Sequence, residues 1–274
     1  MTAVGSRTRH VGGHVVLLGF AGLMLFPVAW AVVTSFKPAS ATYDIAVHPS
    51  EFTTDNYRRA LDVFPLVRLV ANTAVFAAGS AIGQTLLALL AAYGVARHHF
   101  RGRGVLLAVL IGSVVVPQQV LVLPDYLLAS HLGILDTYLG LVLPQLGSTA
   151  VAVYLLYQQL SAFPIDLVHA AQLDGASERV VLLRVVLPNI RGILAALATV
   201  LFIQTWNEYL WPLVVTKGID RATVQLGLTI FQTEQGSAWG PMMAAACLSA
   251  APVVVVFIAA QRRIVDTFVH VGLS

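Results

Sequence analysis

A group of polar and aromatic side chains in the last third of the chain has the types and spacing of a ligand-binding face. The group recurs at helical spacing within an otherwise apolar stretch and consists of Gln204, Asn207, Glu208 and Trp211. Sugars are held by hydrogen-bonding side chains together with an aromatic ring, and this stretch offers both. Ionisable residues within an apolar span are functional candidates, because burying them is costly. The pattern therefore predicts a helix face that lines a path for a polar solute.

The same stretch has a second interpretation as an aromatic belt. Trp206, Tyr209 and Trp211 lie toward the outer end of their predicted helix, where tryptophan and tyrosine mark membrane interfaces. The residue pattern leaves both interpretations open.

Other polar side chains lie in two further apolar stretches. Gln118 and Gln119 follow Pro117 and are additional candidates for the solute path. Asn72 and Gln84 are expected instead to join neighbouring helices by hydrogen bonds.

No catalytic constellation is visible in the sequence. A phosphate-binding P-loop needs Gly-Lys followed by Ser or Thr, and the two lysines, Lys37 and Lys217, do not follow glycine. The HExxH and GxSxG patterns are absent, and the single cysteine, Cys247, excludes an intrachain disulfide or a zinc cluster of cysteines. We expect no catalytic residue, no cofactor and no metal in this chain, so that any step that consumes energy would depend on a partner or an ion gradient.

The composition predicts a single integral membrane domain over residues 1–274. Hydrophobic residues make up 58% of the chain and charged residues 11%, with a mean hydropathy of +0.81. A soluble domain carries about 25% charged residues. The 16 basic against 13 acidic residues fit the loops of a membrane protein, and no basic aromatic patch suggests nucleic acid.

Six stretches are long and apolar enough to cross a bilayer as helices, which needs about 20 residues. They are Val11–Thr34, Leu69–Ala96, Val105–Leu123, Tyr138–Leu160, Ile193–Val215 and Pro241–Ala260. The first is an N-terminal span, and the other five form a core from about 69 to 260.

Arginine-rich connections alternate with neutral or acidic ones and predict the topology. The arginines precede span one, separate spans two and three, follow span four and end the chain: Arg7, Arg9, Arg97, Arg101, Arg103, Arg179, Arg184, Arg191, Arg262 and Arg263. Cytoplasmic loops carry such an excess, so both termini are predicted in the cytoplasm. A cleaved signal peptide in place of the first span is the alternative, since Ala29-Trp30-Ala31 resembles a cleavage site.

A polar segment over residues 163–188 interrupts the apolar pattern on the predicted cytoplasmic side. Pro164 and Asp166 suit the start of a helix, and Gly175 suits the left-handed residue that closes one. Ser177 is then expected to cap a second helix, ERVVLLRVVL, that Pro188 ends. Two short amphipathic helices suit docking to a partner protein, or alternatively lying on the lipid surface.

The residues of this segment resemble the EAA motif of ABC importer permeases. HAAQLDGAS followed by VVLP matches the Glu-Ala-Ala-x-x-Asp-Gly-Ala form found in sugar permeases, and GILDTYLGLVLP and WNEYLWPLVV also resemble the carbohydrate-uptake branch. The resemblance covers most of the chain from about Asn72 to Arg263. It implies the type I ABC importer permease fold, an all-α membrane protein with six spans and a cytoplasmic coupling helix between spans four and five.

The resemblance also implies what this segment does. The coupling helix sits in a cleft of a cytoplasmic ATPase, and the docking residues carried over from the motif are His169, Ala170, Ala171, Asp174, Gly175 and Ala176. His169 departs from the glutamate usual in the family, so that a fixed negative charge is lost there. The implied partners are a second homologous permease, two ATPase copies that bind ATP and Mg, an extracytoplasmic solute-binding protein, and membrane lipid.

The sequence thus predicts the permease subunit of an ATP-driven, binding-protein-dependent sugar importer in the inner membrane. A phosphate substrate would favour Arg or Lys in the path, and no predicted span contains a clear one, which favours an oligosaccharide or amino sugar over a glycerol-phosphate ester. The alternative is a gradient-driven secondary carrier acting without an ATPase, which would need ionisable residues near the midplane.

Overall fold

The computed structural model describes residues 4–46, 48–233 and 236–271, and side chains over 14–46, 48–232 and 238–261. Most of this part of the chain is α-helical: Val4–Phe36 (α1), Asp55–Val63 (α2), Leu66–Arg97 (α3), Arg103–Ser113 (α4), Gln118–His131 (α5), Tyr138–Val142 (α6), Ala150–Ser161 (α7), Ile165–Leu173 (α8), Glu178–Val180 (α9), Leu187–Trp206 (α10), Leu210–Val215 (α11), Val224–Gly227 (α12) and Trp239–Val271 (α13). A π-helical turn at Val181–Val186 joins α9 to α10, and 3₁₀ turns lie at Ala39–Ala41, Pro49–Glu51, Pro144–Gly147 and Leu228–Phe231. Gln232–Thr233 (β1) and Gly236–Ser237 (β2) form a two-residue antiparallel pair, with Gln232 opposite Ser237.

The described helices account for the six predicted spans. Four are long and apolar enough to cross a membrane by themselves: His14–Phe36, Leu66–Arg97, Glu178–Trp206 and Trp239–Gln261. Two bent pairs qualify only when each is taken as one span, α4 with α5 and Tyr138–Gly147 with α7. The predicted all-α membrane fold is therefore confirmed. The terminal arginines used for the topology, Arg7, Arg9, Arg262 and Arg263, lie outside the described side chains.

Two predicted spans are broken where an unbroken helix was expected. The helices of the third span meet at 100° across the segment that ends at Pro117, and those of the fourth at 53° near Ser148. Proline has no N–H to donate and disfavours helix in the residue before it, so the first break follows from Pro117.

The fifth predicted span, Ile193–Val215, has the wrong boundaries. The helix begins at Glu178 and ends at Trp206, and α11 starts only after a break at Asn207–Tyr209. The prediction that Pro188 ends a separate short helix is also wrong. Its neighbour, the Leu187 N–H, bonds to the Leu182 carbonyl across a wider π turn. That turn lets the chain pass into α10 with Pro188 in its first turn, where the missing N–H is tolerated.

The described chain divides into two compact units, and the prediction of one permease domain stays a prediction. One unit holds the residues up to Leu66 together with Leu228–Ala251, and the other holds Val67–Gly227 and the residues from Pro252. In the first unit α2 has Thr54 at its N-cap, but the Thr54 side chain makes no capping bond. Asn56, buried in α2, donates to the Ser35 carbonyl at 3.0 Å and the Lys37 carbonyl at 2.7 Å.

The second unit has a core formed by α3, α7, α8 and the π turn. Ala88 and Ala92 of α3, Leu156 of α7, Val168 of α8 and Val181 are all buried in it. Alanines on α3 leave room for the other elements to approach closely, as is common between membrane helices. This core holds the polar segment 163–188 against the second span.

Candidate coupling and substrate sites

The elbow between α8 and α9 is a helix C-terminus closed by a left-handed glycine. Gly175 has φ +80°, and its N–H bonds to the Gln172 carbonyl at 3.0 Å. The Ala176 N–H bonds to the Ala171 carbonyl, also at 3.0 Å. These two bonds form a Schellman motif, which satisfies carbonyls that the helix end leaves free. The predicted helix, glycine turn and second helix are thus present, with Ser177 at the N-cap but making no side-chain capping bond.

The predicted docking residues divide between two faces of this elbow. Val168 is 1% exposed and anchors the inner face, with Ala171 and Ala176 partly buried against the same core. The outer face carries the remaining four predicted residues, all exposed: His169, Ala170, Asp174 and Gly175. Leu173 lies among them and is 90% exposed. An apolar side chain so fully exposed at the end of α8 is suited to enter a cleft of a partner.

Glu178, which the sequence analysis did not single out, lies at the base of the elbow. One of its carboxylate oxygens accepts from the Tyr93 hydroxyl at 2.7 Å, and the other accepts from the Gln172 amide at 3.0 Å. Arg97 lies 3.6 Å from the second oxygen. An acidic residue in the first turn of the second helix was the only sequence signal, and such residues are common there for local reasons.

A cavity of about 410 Å³ lies between the spans of the second unit. Its polar lining consists of four amides, three hydroxyls and one carboxyl group: Gln84, Gln118, Gln145, Gln204, Ser113, Ser148, Thr205 and Glu208. Among the lining residues that the structure describes there is no Lys, Arg or His. The cavity can therefore hydrogen-bond a polyhydroxylated solute but offers no cation to an anionic group.

Three of the predicted path residues line this cavity. Gln204 and Glu208 reach it from the end of α10 and the break after it, and Gln118 from the start of α5. Gln118 also donates to the Ser148 hydroxyl at 3.0 Å. Gln119 and Trp211 line a smaller neighbouring cavity, to which Gln118 and Glu208 also contribute.

The predicted continuous helical face through Gln204, Asn207, Glu208 and Trp211 is wrong. The helix stops at Trp206, and Glu208 Oε1 accepts from the N–H groups of Leu210 and Trp211, which starts α11 anew. A carboxylate at a helix N-terminus satisfies otherwise free donors, so Glu208 stabilises the start of α11 after the break. Asn207 bonds to the Ile203 carbonyl and to Gln225, and it lines neither cavity.

Trp211 belongs to the packing between elements more than to an interface belt. It is 3% exposed, and its indole N–H points to the carbonyls of Gly140 and Leu141 at 3.2 and 3.1 Å. Tyr209, in contrast, is 40% exposed.

Asn72 joins its helix to α6, as predicted, and Gln84 joins its helix to the 3₁₀ turn Pro144–Gly147. Asn72 donates to the carbonyls of Asp220 and Ala222 and accepts from the Tyr138 hydroxyl. Gln84 donates to the Gln145 carbonyl at 2.6 Å, and it also lines the larger cavity, which its sequence position did not reveal. Among the described residues no cluster of three or more His, Cys, Asp or Glu could hold a metal.

Residues 67–268 match the family model described as binding-protein-dependent transport system inner membrane component. The chain is 30% identical over 269 residues to the sn-glycerol-3-phosphate transport system permease protein UgpE of Brucella abortus (strain 2308), covering 94% of this chain and 95% of that one. It is 31% identical over the same length and coverage to the protein of that name from Rhizobium meliloti (strain 1021).

A solved structure shares the fold. It is described as the crystal structure of a bacterial ABC transporter involved in the import of the acidic polysaccharide alginate. Its matching chain superposes with a TM-score of 0.80 at 20% identity, covering 96% of this chain and 98% of that chain.

Proposed function

We propose, since the chain belongs to the family of binding-protein-dependent transport system inner membrane components, that it forms half of a translocation path whose opening is driven through the α8 elbow. The chain is a multi-pass inner-membrane permease of an ATP-driven import system and is not itself a catalytic enzyme. The second half would come from a homologous permease. Two cytoplasmic ATPases would bind ATP and Mg, and an extracytoplasmic solute-binding protein would deliver the solute.

The observation that carries the docking proposal is the two-faced elbow. Its inner face is buried against α3 and α7, while Leu173, Asp174 and His169 face outward. An element packed against the spans on one side and exposed on the other can transmit the movement of a partner to those spans. It biases the equilibrium between inward- and outward-open states only if its docking differs between them.

In the proposed cycle, ATP binding closes the ATPases and brings the two coupling helices together. The helix from Glu178 to Trp206 runs without a gap from the elbow to the cavity, where Gln204 and Glu208 line the wall. Movement at the elbow would therefore reach the cavity along one helix. The cavity then faces outward, receives the solute, and returns inward after hydrolysis.

We propose a neutral sugar or an amino sugar as the solute. The two relatives are named for sn-glycerol 3-phosphate, which is an anion. The cavity of this chain offers glutamine amides and the carboxylate of Glu208, without a described basic side chain. A phosphate ester would lack the charged donors that such groups normally require.

Affinity purification of the tagged chain from a gentle detergent extract tests the proposal. We expect an ATPase with a P-loop and a second permease to be identified by mass in the purified complex. After reconstitution, uptake of the solute should require ATP and the binding protein. A chain that purifies alone and transports in liposomes without ATP would instead establish the gradient-driven carrier.

A further inference from the structure

We infer that Glu178 is a positioning residue that ties the coupling helix to the second membrane span, so that movement of the elbow reaches the cavity through α3 as well as through α10. This inference rests on the proposed function of the elbow. It concerns a side-chain connection between the elbow and α3, in addition to the backbone connection between the elbow and α10.

The geometry of Glu178 joins three elements through one carboxylate. Its backbone begins α9, which continues through the π turn into α10. Oε2 accepts from Tyr93 of α3 at 2.7 Å, and Oε1 accepts from Gln172 of α8 at 3.0 Å. Hydrogen bonds to a charged acceptor are among the stronger ones in proteins, and here both oxygens are used.

The hydroxyl of Tyr93 is specifically placed for this contact. Tyr93 is 7% exposed and belongs to the buried cluster that also holds Val168 and Val181. A buried tyrosine needs a partner for its hydroxyl, and Glu178 is the partner found here. Arg97, one helical turn further along α3, lies 3.6 Å from Oε1 and forms an ion pair with the carboxylate from the same helix.

The span that Glu178 contacts leads directly to the cavity. Gln84 lies nine residues before Tyr93 on the unbroken helix α3. It lines the cavity and donates to the Gln145 carbonyl. At 1.5 Å per residue the two side chains are roughly 14 Å apart along the axis. A displacement of the elbow is therefore transmitted to α3 through Glu178 and to α10 through the continuous chain. Both helices carry residues that line the cavity.

The π turn explains why the second connection is needed. Between Glu178 and α10 the helix contains the π-helical residues Val181–Val186, and such turns are points where a helix can change its path. A helix that can bend at a π turn transmits a displacement along its axis less completely than a regular α-helix. The bond from Glu178 to Tyr93 lies on the elbow side of the π turn and bypasses it.

The test is a double-mutant cycle on the reconstituted transport complex, with solute taken up per ATP hydrolysed as the readout. The variants are Tyr93→Phe, which removes the hydroxyl and keeps the ring, Glu178→Ala, and the double variant. We expect each single variant to lower the ratio by about threefold to tenfold, with the ATPase rate retained. The uptake ratio of the double variant should be no lower than that of the more impaired single variant, because all three variants lose the bond between Glu178 and Tyr93.

Matched controls separate coupling from folding. Tyr157→Phe removes another tyrosine hydroxyl, which accepts from Arg103 at 2.9 Å outside the elbow, and should leave the ratio unchanged. Glu178→Gln keeps an oxygen that can accept from Tyr93 and should largely retain the ratio. If Glu178→Ala fails to assemble, Tyr93→Phe and Glu178→Gln still decide the question.

An unchanged ratio for Tyr93→Phe, with or without a lower yield of complex, would overturn the inference and leave Glu178 a structural residue. Strictly additive losses in the double variant would overturn it as well. Failure of the proposed function has a different signature, because the wild-type complex itself would then lack an ATPase or transport without ATP.

Discussion

At the scale of single residues, Gly175 determines whether the elbow can form. Its φ of +80° lies in the left-handed region, and a Cβ built there would meet nothing within 4 Å. A side chain at this position would therefore be accommodated in space but strained in backbone conformation, at a cost of about 1–3 kcal/mol. Relief of that strain would break the two bonds that close α8.

Gly175→Val should for this reason weaken docking of the ATPase and abolish uptake, while the chain still inserts into the membrane. We would measure the amount of ATPase that copurifies with the chain and the rate of ATP-dependent uptake. Gly102→Val is the matched control, since Gly102 also has a positive φ, of +93°, and a Cβ there would likewise meet no atom within 4 Å. Equal loss of docking in both variants, or normal uptake by Gly175→Val, would contradict the docking function of the elbow.

The contrast between Gly175 and Glu208 shows what the sequence could predict at this scale. A glycine between two amphipathic segments predicts a left-handed helix end, because few other residues adopt that conformation. Glu208 and its neighbours have helical spacing as well, but the regular helix ends at Trp206 and the carboxylate of Glu208 caps α11. Spacing assumes an unbroken helix, so it could not predict which side chains reach the cavity.

At the scale of elements, the short helix α6 depends on a tight turn before it. Thr137 caps α6 by accepting from the Gly140 N–H at 3.0 Å, and its hydroxyl donates to the Ile134 carbonyl at 2.7 Å. A Cβ on Gly140 would lie 2.1 Å from that same carbonyl oxygen. The Gly140 carbonyl in turn accepts from Trp211, which joins α6 to α11.

Gly140→Ala should therefore loosen the contact between α6 and α11 and lower stability by about 1–3 kcal/mol, since a backbone atom cannot yield as a side chain can. Thermal unfolding of the purified chain in detergent, followed by tryptophan fluorescence, measures the loss. Gly112→Ala on α4, where a Cβ would meet nothing within 4 Å, should keep or raise the melting temperature. Equal melting temperatures for the two variants would show that the turn rearranges freely.

Element boundaries were predictable where one physical signal acts alone. The second span was predicted at Leu69–Ala96 and found at Leu66–Arg97, because an apolar stretch between polar ends leaves little choice. The fifth span was misplaced toward its C-terminus. Its first residues carry charge and a proline, and the π turn that accommodates Pro188 has no sequence pattern of its own.

At the scale of the whole molecule, the composition was enough to predict a membrane protein. The arrangement of the spans around a cavity could not be predicted from it. Spans three and four bend at the ends of α4 and near Ser148, and these bends bring Gln118, Gln145 and Ser148 to one wall. Side chains from separate spans meet there only after the bends form. The polar wall is therefore a property of the assembled unit, and the proposed neutral solute rests on its charge.

The charge of that wall leads to the last prediction, which concerns the solute. Two like charges 4 Å apart repel by about 4 kcal/mol at an effective dielectric constant of about 20, and by about 1 kcal/mol in water. Glu208 should therefore exclude phosphate esters, and Glu208→Gln, which keeps an oxygen to cap α11, should improve their binding by at least about fivefold. Tryptophan fluorescence of the purified complex without binding protein measures the binding of each solute. The two solutes are sn-glycerol 3-phosphate and a neutral disaccharide. The disaccharide should bind the wild type more tightly and should respond little to Glu208→Gln. Tighter binding of the phosphate ester to the wild type would mean that the partner permease supplies the cation, and that this wall does not select the solute.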